Sequence, residues 1–381
     1  MLRSYQRTAT VAFIGLALAL STITQEGLRH IASAAVPPSR GTQYLYVQNG
    51  LPVDSISGFA LRNGRLVPTP GSPYATGGGH FAPTGSANDL ATSLANGACA
   101  FNTESKGQVE SFAVNLPDGA LTVMSQIQVG NQKFAPAGAY VTPDGSLLFV
   151  IVTAESGEPS WIYQIPIGSS CALGTPIANF FGYKSYSDLA IVGNSMIAAV
   201  DSGNNRIDLY QVGQGPLQLV ESVPSQFHAS PAAGAAIGAT KRGAMLFTGQ
   251  IADGWSSAEA FWLTGKSVQD VPSSPLTDSA GSDGLAVHYD PFHDQLVESE
   301  GLSGSLGLYS FSGGPGKVVH VATSIRDPGV MAQLGSDLFV LGYADGTVNL
   351  CALGRLQAHC GLAVTLPANS RPAGVAVLSV P

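Results

Sequence analysis

Charge is scarce in this chain. Only 11% of its 381 residues are Asp, Glu, Lys or Arg, and 17 basic residues against 25 acidic ones leave a formal charge of −8. Nucleic acids and anionic membrane surfaces call for a dense basic patch, so neither is an expected partner. Tryptophan is rare too, with 3 copies. There is no G-x-S-x-G, no H-E-x-x-H and no phosphate-binding P-loop, and no cysteine has a helix-like setting. Serine-hydrolase, zinc-peptidase and nucleotide chemistry therefore find no motif to stand on. Beyond residue 40 no apolar run is long enough to cross a bilayer. What the chain does have is 45% hydrophobic residues, 46 Gly and 24 Pro. Short apolar runs cut by Gly, Pro, Asn and Ser predict an all-β protein with many turns and enough apolar surface for a core.

The N-terminus reads as a separate piece. Arg3 and Arg7 precede the apolar run VAFIGLALAL (11–20), and Ala32-Ser33-Ala34 offers a small-residue cleavage site. Residues 1–34 are thus expected to be a secretory signal peptide and 35–42 a linker, with no membrane insertion once the peptide is cleaved. QEGLRH (25–30) makes the segment unusually long, and an uncleaved anchor is the alternative. The expected location is secreted, periplasmic or on the cell surface. In such a compartment the four cysteines can oxidise. Cys351 and Cys360 flank ALGRLQAH, a strand–turn–strand across which a bridge is geometrically reasonable. Cys99 and Cys171 lie in neighbouring repeats, and four cysteines allow three connectivities.

The repeat is the main signal. ISGFAL, VESFAV, SWIYQI, IDLYQV, EAFWL, LGLYSF and VNLCAL centre on Phe59, Phe112, Tyr163, Tyr210, Phe261, Tyr309 and Cys351, which recur every 42–53 residues. An apolar strand precedes each, and a Gly turn with a further strand usually follows. The third copy departs here, with CALGTP. Upstream of each unit a small-residue strand begins at Asp89, Gly138, Asp188, Gly234, Gly284, Gly329 or Gly374. Four antiparallel strands repeated seven times predict a seven-bladed β-propeller over residues 43–381. The first unit lacks a small-residue strand and the last such strand, GVAVLS (374–379), ends the chain. The C-terminal strand is therefore expected to complete the N-terminal blade and leave no open edge. GRLVPTPGSPYATGG (64–78) then reads as an outer strand plus the crossing to the next blade, echoed by VPSSPLTDSAG (271–281) and VPSQFHASPAAG (223–234).

YLYVQNG…ISGFALRNGRLVPTPGSPYATGG resembles a blade of the seven-bladed lactonase-type propellers, which include 6-phosphogluconolactonase-like proteins and surface YVTN repeats. TPDGSLLFV (142–150) is similar in style. The resemblance implies a lactonase site in which a Gly-Pro-Arg-His run and a Phe-His-Pro turn hold an anionic lactone and deliver water. This chain departs from that pattern. No Pro-Arg-His occurs, Arg371 precedes its Pro, and HYDPFHD (288–294) matches the His-Pro turn only loosely.

Propeller ligands sit where loops leading into the inner strands converge. The polar residues there are Asp89, Asp188, His228, Asp283, Arg326, Asp327 and Arg371. Arg326 and Arg371, with Asp89 and Asp327 beside them, are the candidate contacts for a small carboxylate or phosphate. Asp188, His228 and Asp283 are the candidate bases. The plainer reading is that these groups pair with one another and cap loop amides. Asp89, Asp188 and Asp283 are also the acids that would place Ca²⁺ on the axis. His288, Asp290, His293 and Asp294 are close in sequence, but DP turns are ordinary, so a solvated turn is expected there in preference to a metal site. Trp161, Trp255 and Trp262 are expected between blades, with a sugar or protein contact surface as the alternative. The leading expectation is an exported, monomeric binding module for a small anion or a protein partner, without clear catalysis. The rival is a lactone hydrolase, and a structural cell-surface repeat is the third reading.

Overall fold

The computed structural model describes residues 41–381 apart from 51–52, 54, 78–87, 105, 132–133, 155–159, 183, 226–231, 241–242, 253–254, 265–266, 279–283, 302 and 312–315. Seven antiparallel sheets of four strands form the blades of one propeller. From the axis outward, blade one is Gly374–Ser379, Gln43–Gln48, Ser55–Arg62 and Arg65–Pro68. Blade two is Leu90–Ser93, Cys99–Glu104, Gln108–Val114 and Leu121–Gln128. Blade three is Phe134–Val141, Leu147–Ala154, Ser160–Pro166 and Ile177–Phe180. Blade four is Tyr186–Val192, Met196–Asp201, Arg206–Gln211 and Gln218–Pro224. Blade five is Ala232–Thr240, Gly243–Ala252, Trp255–Thr264 and Ser267–Asp270. Blade six is Gly284–Asp290, Gln295–Glu300, Ser305–Ser310 and Lys317–Ala322. Blade seven is Pro328–Leu334, Asp337–Gly342, Thr347–Gly354 and Gln357–Thr365.

The chain closes the ring on itself, as the repeat predicts. Gly374–Ser379 pairs antiparallel with Gln43–Gln48, from Gln48 opposite Gly374 to Gln43 opposite Ser379. It also packs against the inner strands of blades two and seven. Side chains sew the seam to blade two. Asn88 donates from Nδ2 to the Val375 carbonyl (2.7 Å) and accepts from the Val375 amide (2.9 Å), and Thr92 Oγ1 donates to the Val377 carbonyl (2.8 Å).

The recurring aromatics occupy one structural slot, on the strand face turned toward the preceding blade. Phe112 packs with Tyr44, Tyr46 and Ile56 of blade one, and Tyr210 with Phe149 and Ile162 of blade three. Phe261 packs with Ala198 and Leu209 of blade four, and Tyr309 with Phe247 and Ala258 of blade five. Burying a side chain of this size stabilises by about 1.5–3 kcal/mol, so the repeat is the core. Tyr163 is only half-buried, beside the blade-two cluster. Trp161 and Trp262 are half-buried as well, while the side chain of Trp255 lies outside the described residues.

The run of turn residues after the first outer strand has a definite role. In blade one Arg65–Pro68 is followed by Tyr74–Ala75, which pairs again with the same neighbouring strand. Blade five repeats this with Ser267–Asp270 and Leu276–Asp278. In each break a serine before a cis proline (Ser72-Pro73 and Ser274-Pro275) bonds the skipped amide. Ser72 Oγ accepts from Gly58 N at 2.9 Å, and Ser274 Oγ from Ala260 N at 2.8 Å. The third echo, at 223–234, falls largely outside the described residues. Blade three differs from the sequence reading only in detail. Its outer strand lies after CALGTP, because Ser169–Cys171 forms a 3₁₀ turn instead.

Two disulfides are present. Cys351 and Cys360 face each other across blade seven, and Cys99–Cys171 fastens blade two to the 3₁₀ turn of blade three.

Two stability tests follow from this architecture. Deleting residues 372–381 exposes the edges of blade one, and we expect cooperative thermal unfolding to be lost; a truncated chain melting cooperatively near the full-length midpoint would defeat the closure argument. Separately, by loop entropy the sequence separation of 72 makes Cys99–Cys171 worth about 4 kcal/mol, against about 3 kcal/mol at most for the separation of 9 at Cys351–Cys360. Denaturant titration of the two double-serine variants should therefore rank the first as the more damaging.

Candidate functional site

The crossings into the inner strands share a face with the hairpins between second and third strands, because the two are hydrogen-bonded together. Arg371 N donates to the Asn49 carbonyl at 2.8 Å in blade one, and Thr103 N to the Asp89 carbonyl at 3.1 Å in blade two. Ser202 N donates to the Ser185 carbonyl at 2.8 Å in blade four, and Tyr343 N to the Asp327 carbonyl at 2.9 Å in blade seven. At Gly50, with φ +65, a Cβ would lie 2.0 Å from the Arg371 carbonyl oxygen, so the hairpin can approach this closely only without a side chain. Arg326, Asp327, Arg371 and Asp89 thus lie on one face of three consecutive blades.

The charges on that face are unequally occupied. Arg326 and Arg371 are exposed, and among the described residues neither guanidinium has a hydrogen-bond or ion-pair partner. The plainer expectation, in which they pair with neighbouring acids, is not what the described residues show. The carboxylates are engaged. Asp89 is buried and accepts from Thr103 Oγ1 at 2.7 Å. Asp188, on the inner strand of blade four, accepts from the Tyr140 hydroxyl of blade three and from Leu189 N. Burial, reinforced by the charge of Asp188, holds the Tyr140 phenol protonated far above its ordinary range. His228 and Asp283 lie outside the described residues.

Three acids that the repeat contains were not singled out in the sequence. Glu110, Asp208 and Glu259 each stand two residues before the aromatic, in VESFAV, IDLYQV and EAFWL, so they share its buried face. Each binds the crossing that leads into its own blade. Glu110 Oε1 accepts from Gly77 N (3.0 Å) and Glu259 Oε2 from Ser225 Oγ (2.8 Å). Asp208 forms an ion pair with Lys184 and accepts from the Tyr186 hydroxyl at 2.9 Å. The strand alternation was the available signal, since an acid two residues from a buried aromatic points the same way.

The segment 288–294 ends in the expected turn, with Pro291 and Phe292 exposed, but the acid that leads into it is not solvated. Asp290 is fully buried, and its oxygens accept from Gln333 Nε2 (2.9 Å), Gln295 Nε2 (3.1 Å) and Phe292 N (3.0 Å). His293 Nδ1 lies 2.7 Å from Asp290 Oδ2, and His288 Nε2 lies 2.9 Å from Gln333 Oε1. The cluster joins blades six and seven at the far face. Asp294 instead accepts from Tyr289. Among the described residues no three His, Cys, Asp or Glu side chains converge as a metal site.

No sequence family and no curated protein matches the chain. Solved structures do. A periplasmic gluconolactonase from Pseudomonas aeruginosa superposes with a TM-score of 0.68 at 15% identity, over 89% of this chain and 100% of that one. A proposed 6-phosphogluconolactonase from Bacteroides fragilis gives 0.68 at 14% identity, over 90% and 100%. A protein of unknown function from Desulfotomaculum acetoxidans gives 0.65 at 13% identity, over 88% and 99%. The resemblance to lactonase-type propellers therefore extends through the whole described fold, and at these identities it is a likeness of fold.

The far-face cluster makes a pH prediction. Burial pushes the His288 imidazole below its ordinary 6.5, against the opposing pulls of Gln333 and the Asp290 charge. A base with a lowered folded pKa contributes its stability in full above the unfolded value, and that contribution is lost as pH falls through the folded one. Melting between pH 7.5 and 5.5 should thus fall further in the wild type than in His288→Gln. Equal falls in both proteins would remove His288 from the account.

Proposed function

We propose that the protein is an exported, lactonase-like propeller that binds a small organic anion on the face of the crossings, with Arg326 and Arg371 as its anion contacts, and that it holds the anion without hydrolysing it. One observation carries this reading: the two guanidiniums on that face are exposed and unpaired among the described residues, whereas Asp89 and Asp188 are buried in hydrogen bonds. An arginine fork matches a carboxylate or phosphate in both charge and geometry. A general base needs a lone pair within reach of water, whereas Asp89 and Asp188 are buried and already accept from Thr103, Tyr140 and Leu189. Export is supported by the charged and apolar pattern of residues 1–34 and by the periplasmic gluconolactonase among the structural neighbours. The second reading, hydrolysis of a lactone, draws on the same neighbours, two of which are described as lactonases.

Calorimetric titration with gluconate and with inorganic phosphate tests the first reading, and a pH-stat assay on glucono-δ-lactone tests the second. The wild type should bind at least one of the anions more weakly as salt rises, since exposed charges are screened over about 8–10 Å. Arg326→Ala/Arg371→Ala should lose that binding and keep its melting temperature. Lactone opening above the spontaneous rate, abolished by the same double variant, would replace binding with catalysis.

A further inference from the structure

Blades two and four repeat one pattern of acids with one difference. In blade four Asp201 ends the second strand opposite Arg206, and Ile197 stands opposite Tyr210. In blade two Glu104 ends the second strand opposite Gln108, and Ala100 stands opposite Phe112. Glu104 and Glu110 therefore occupy the positions of Asp201 and Asp208. In blade four the Lys184 ammonium reaches Asp208. Blade two has no such lysine. No Lys or Arg occurs between Arg65 and Lys106, and Lys106 is exposed, with no ion pair among the described residues.

More acceptors stand there instead. Asn102 occupies the position of Ala199 and faces blade one beside Glu104 and Glu110. Gln48 faces it from blade one, alternating with the core residues Tyr44 and Tyr46. The amide donors are used locally. Gln48 Nε2 donates to the Thr103 carbonyl at 2.7 Å, and Asn102 Nδ2 donates to Glu104. What remains is oxygen. Gln48 Oε1, Asn102 Oδ1 and Glu110 Oε2 are buried without a hydrogen-bond partner among the described residues, on side chains 2%, 0% and 4% exposed. The other Glu110 oxygen accepts from Gly77 N and Gln126 Nε2, both at 3.0 Å. A Cβ on Gly77 would lie 2.8 Å from that oxygen, so the crossing is drawn in as close as a bare backbone permits.

We propose that the seam between blades one and two is a calcium site, in which Glu110 Oε2, Asn102 Oδ1 and Gln48 Oε1, with Glu104 as the second carboxylate, hold a hard cation in the role Lys184 plays in blade four. Carboxylate and amide oxygens without nitrogen or sulfur favour Ca²⁺ over zinc or copper. Four side-chain oxygens leave room in a shell of about 6–8 for carbonyls and water. The seam lies between blades, away from the axis, and does not depend on the anion-binding reading.

The test is calorimetric titration of CaCl₂ into the EDTA-stripped full chain, with thermal melts in calcium and in EDTA. One saturable site per chain and a melting temperature that rises with calcium are expected. Glu110→Gln should weaken binding on the order of tenfold or more, because affinity follows the charge of the ligand set. Asn102→Ala should weaken it too, and blade four, with Ala199 at that position, shows that a blade folds with alanine there. Arg371→Ala should bind calcium as the wild type does. Coincident melts in calcium and EDTA with no saturable heat would overturn the proposal. So would calcium binding that Asn102→Ala leaves unchanged, a result that counts even if Glu110→Gln fails to fold.

Discussion

The hydrogen-bonded seam between Gln43–Gln48 and Gly374–Ser379 is the constraint on which the rest of the molecule depends. A propeller blade presents two faces to its neighbours and none to a core of its own, so an incomplete first blade would leave blades two and seven each half-covered. Closure also sets the candidate site. Arg371 lies beside Asn49 because the last strand returns to the first blade, and Arg326 becomes its neighbour because the preceding crossing leads into the adjacent blade. The positive pair is thus a product of the ring and not of local sequence.

Scarcity of charge gives those charges their meaning. Of 25 acidic residues, Asp89, Glu104, Glu110, Asp188, Asp201, Asp208, Asp290, Glu259, Glu298 and Glu300 are buried. A buried carboxylate is tolerated only where hydrogen bonds or a cation replace its water. The chain meets that demand differently from blade to blade: a lysine at Asp208, two glutamines and a histidine around Asp290, and His320 beside Glu300. Burial keeps the Tyr186 and Tyr210 phenols protonated, which lets them donate to Asp208. The buried acids mostly tie a strand to its own blade or to the crossing that leads into it, Asp188 and Asp290 reach across to a neighbouring blade, and the exposed arginines are the departure from that rule.

How much of this was legible in the sequence follows from the range of each signal. Phe59, Phe112, Tyr210, Phe261 and Tyr309 were legible because a slot between blades repeats whenever the blade does. The Pro and Ser clusters were legible as the end of an outer strand and the crossing beyond it, but not the second pairing of Tyr74–Ala75 and Leu276–Asp278, which depends on where Ser72 and Ser274 meet the skipped amides. Glu110, Asp208 and Glu259 stood in the same quoted strands, and alternation placed them inward, but their partners come from crossings whose course no local pattern encodes. Asp290 was read as a solvated turn for the same reason, as Gln333 reaches it from the next blade. The partner of Cys171 depends on a 3₁₀ turn peculiar to blade three. For Arg326 and Arg371 their shared face was legible from topology, and their lack of partners only from coordinates.

The paired terminal strands also give the molecule a direction. Val380 N donates to the Thr42 carbonyl at 3.0 Å, so the first and last described residues leave side by side. They do so at the end of blade one where Gln43 meets Ser379, while Arg371 stands at the other end, where Gln48 meets Gly374. Six residues at about 3.3 Å each separate the two ends by nearly 20 Å. The described chain therefore enters at Gly41 and leaves at Pro381 on the back of the disc, so that a support attached at Pro381 starts from the face opposite Arg371.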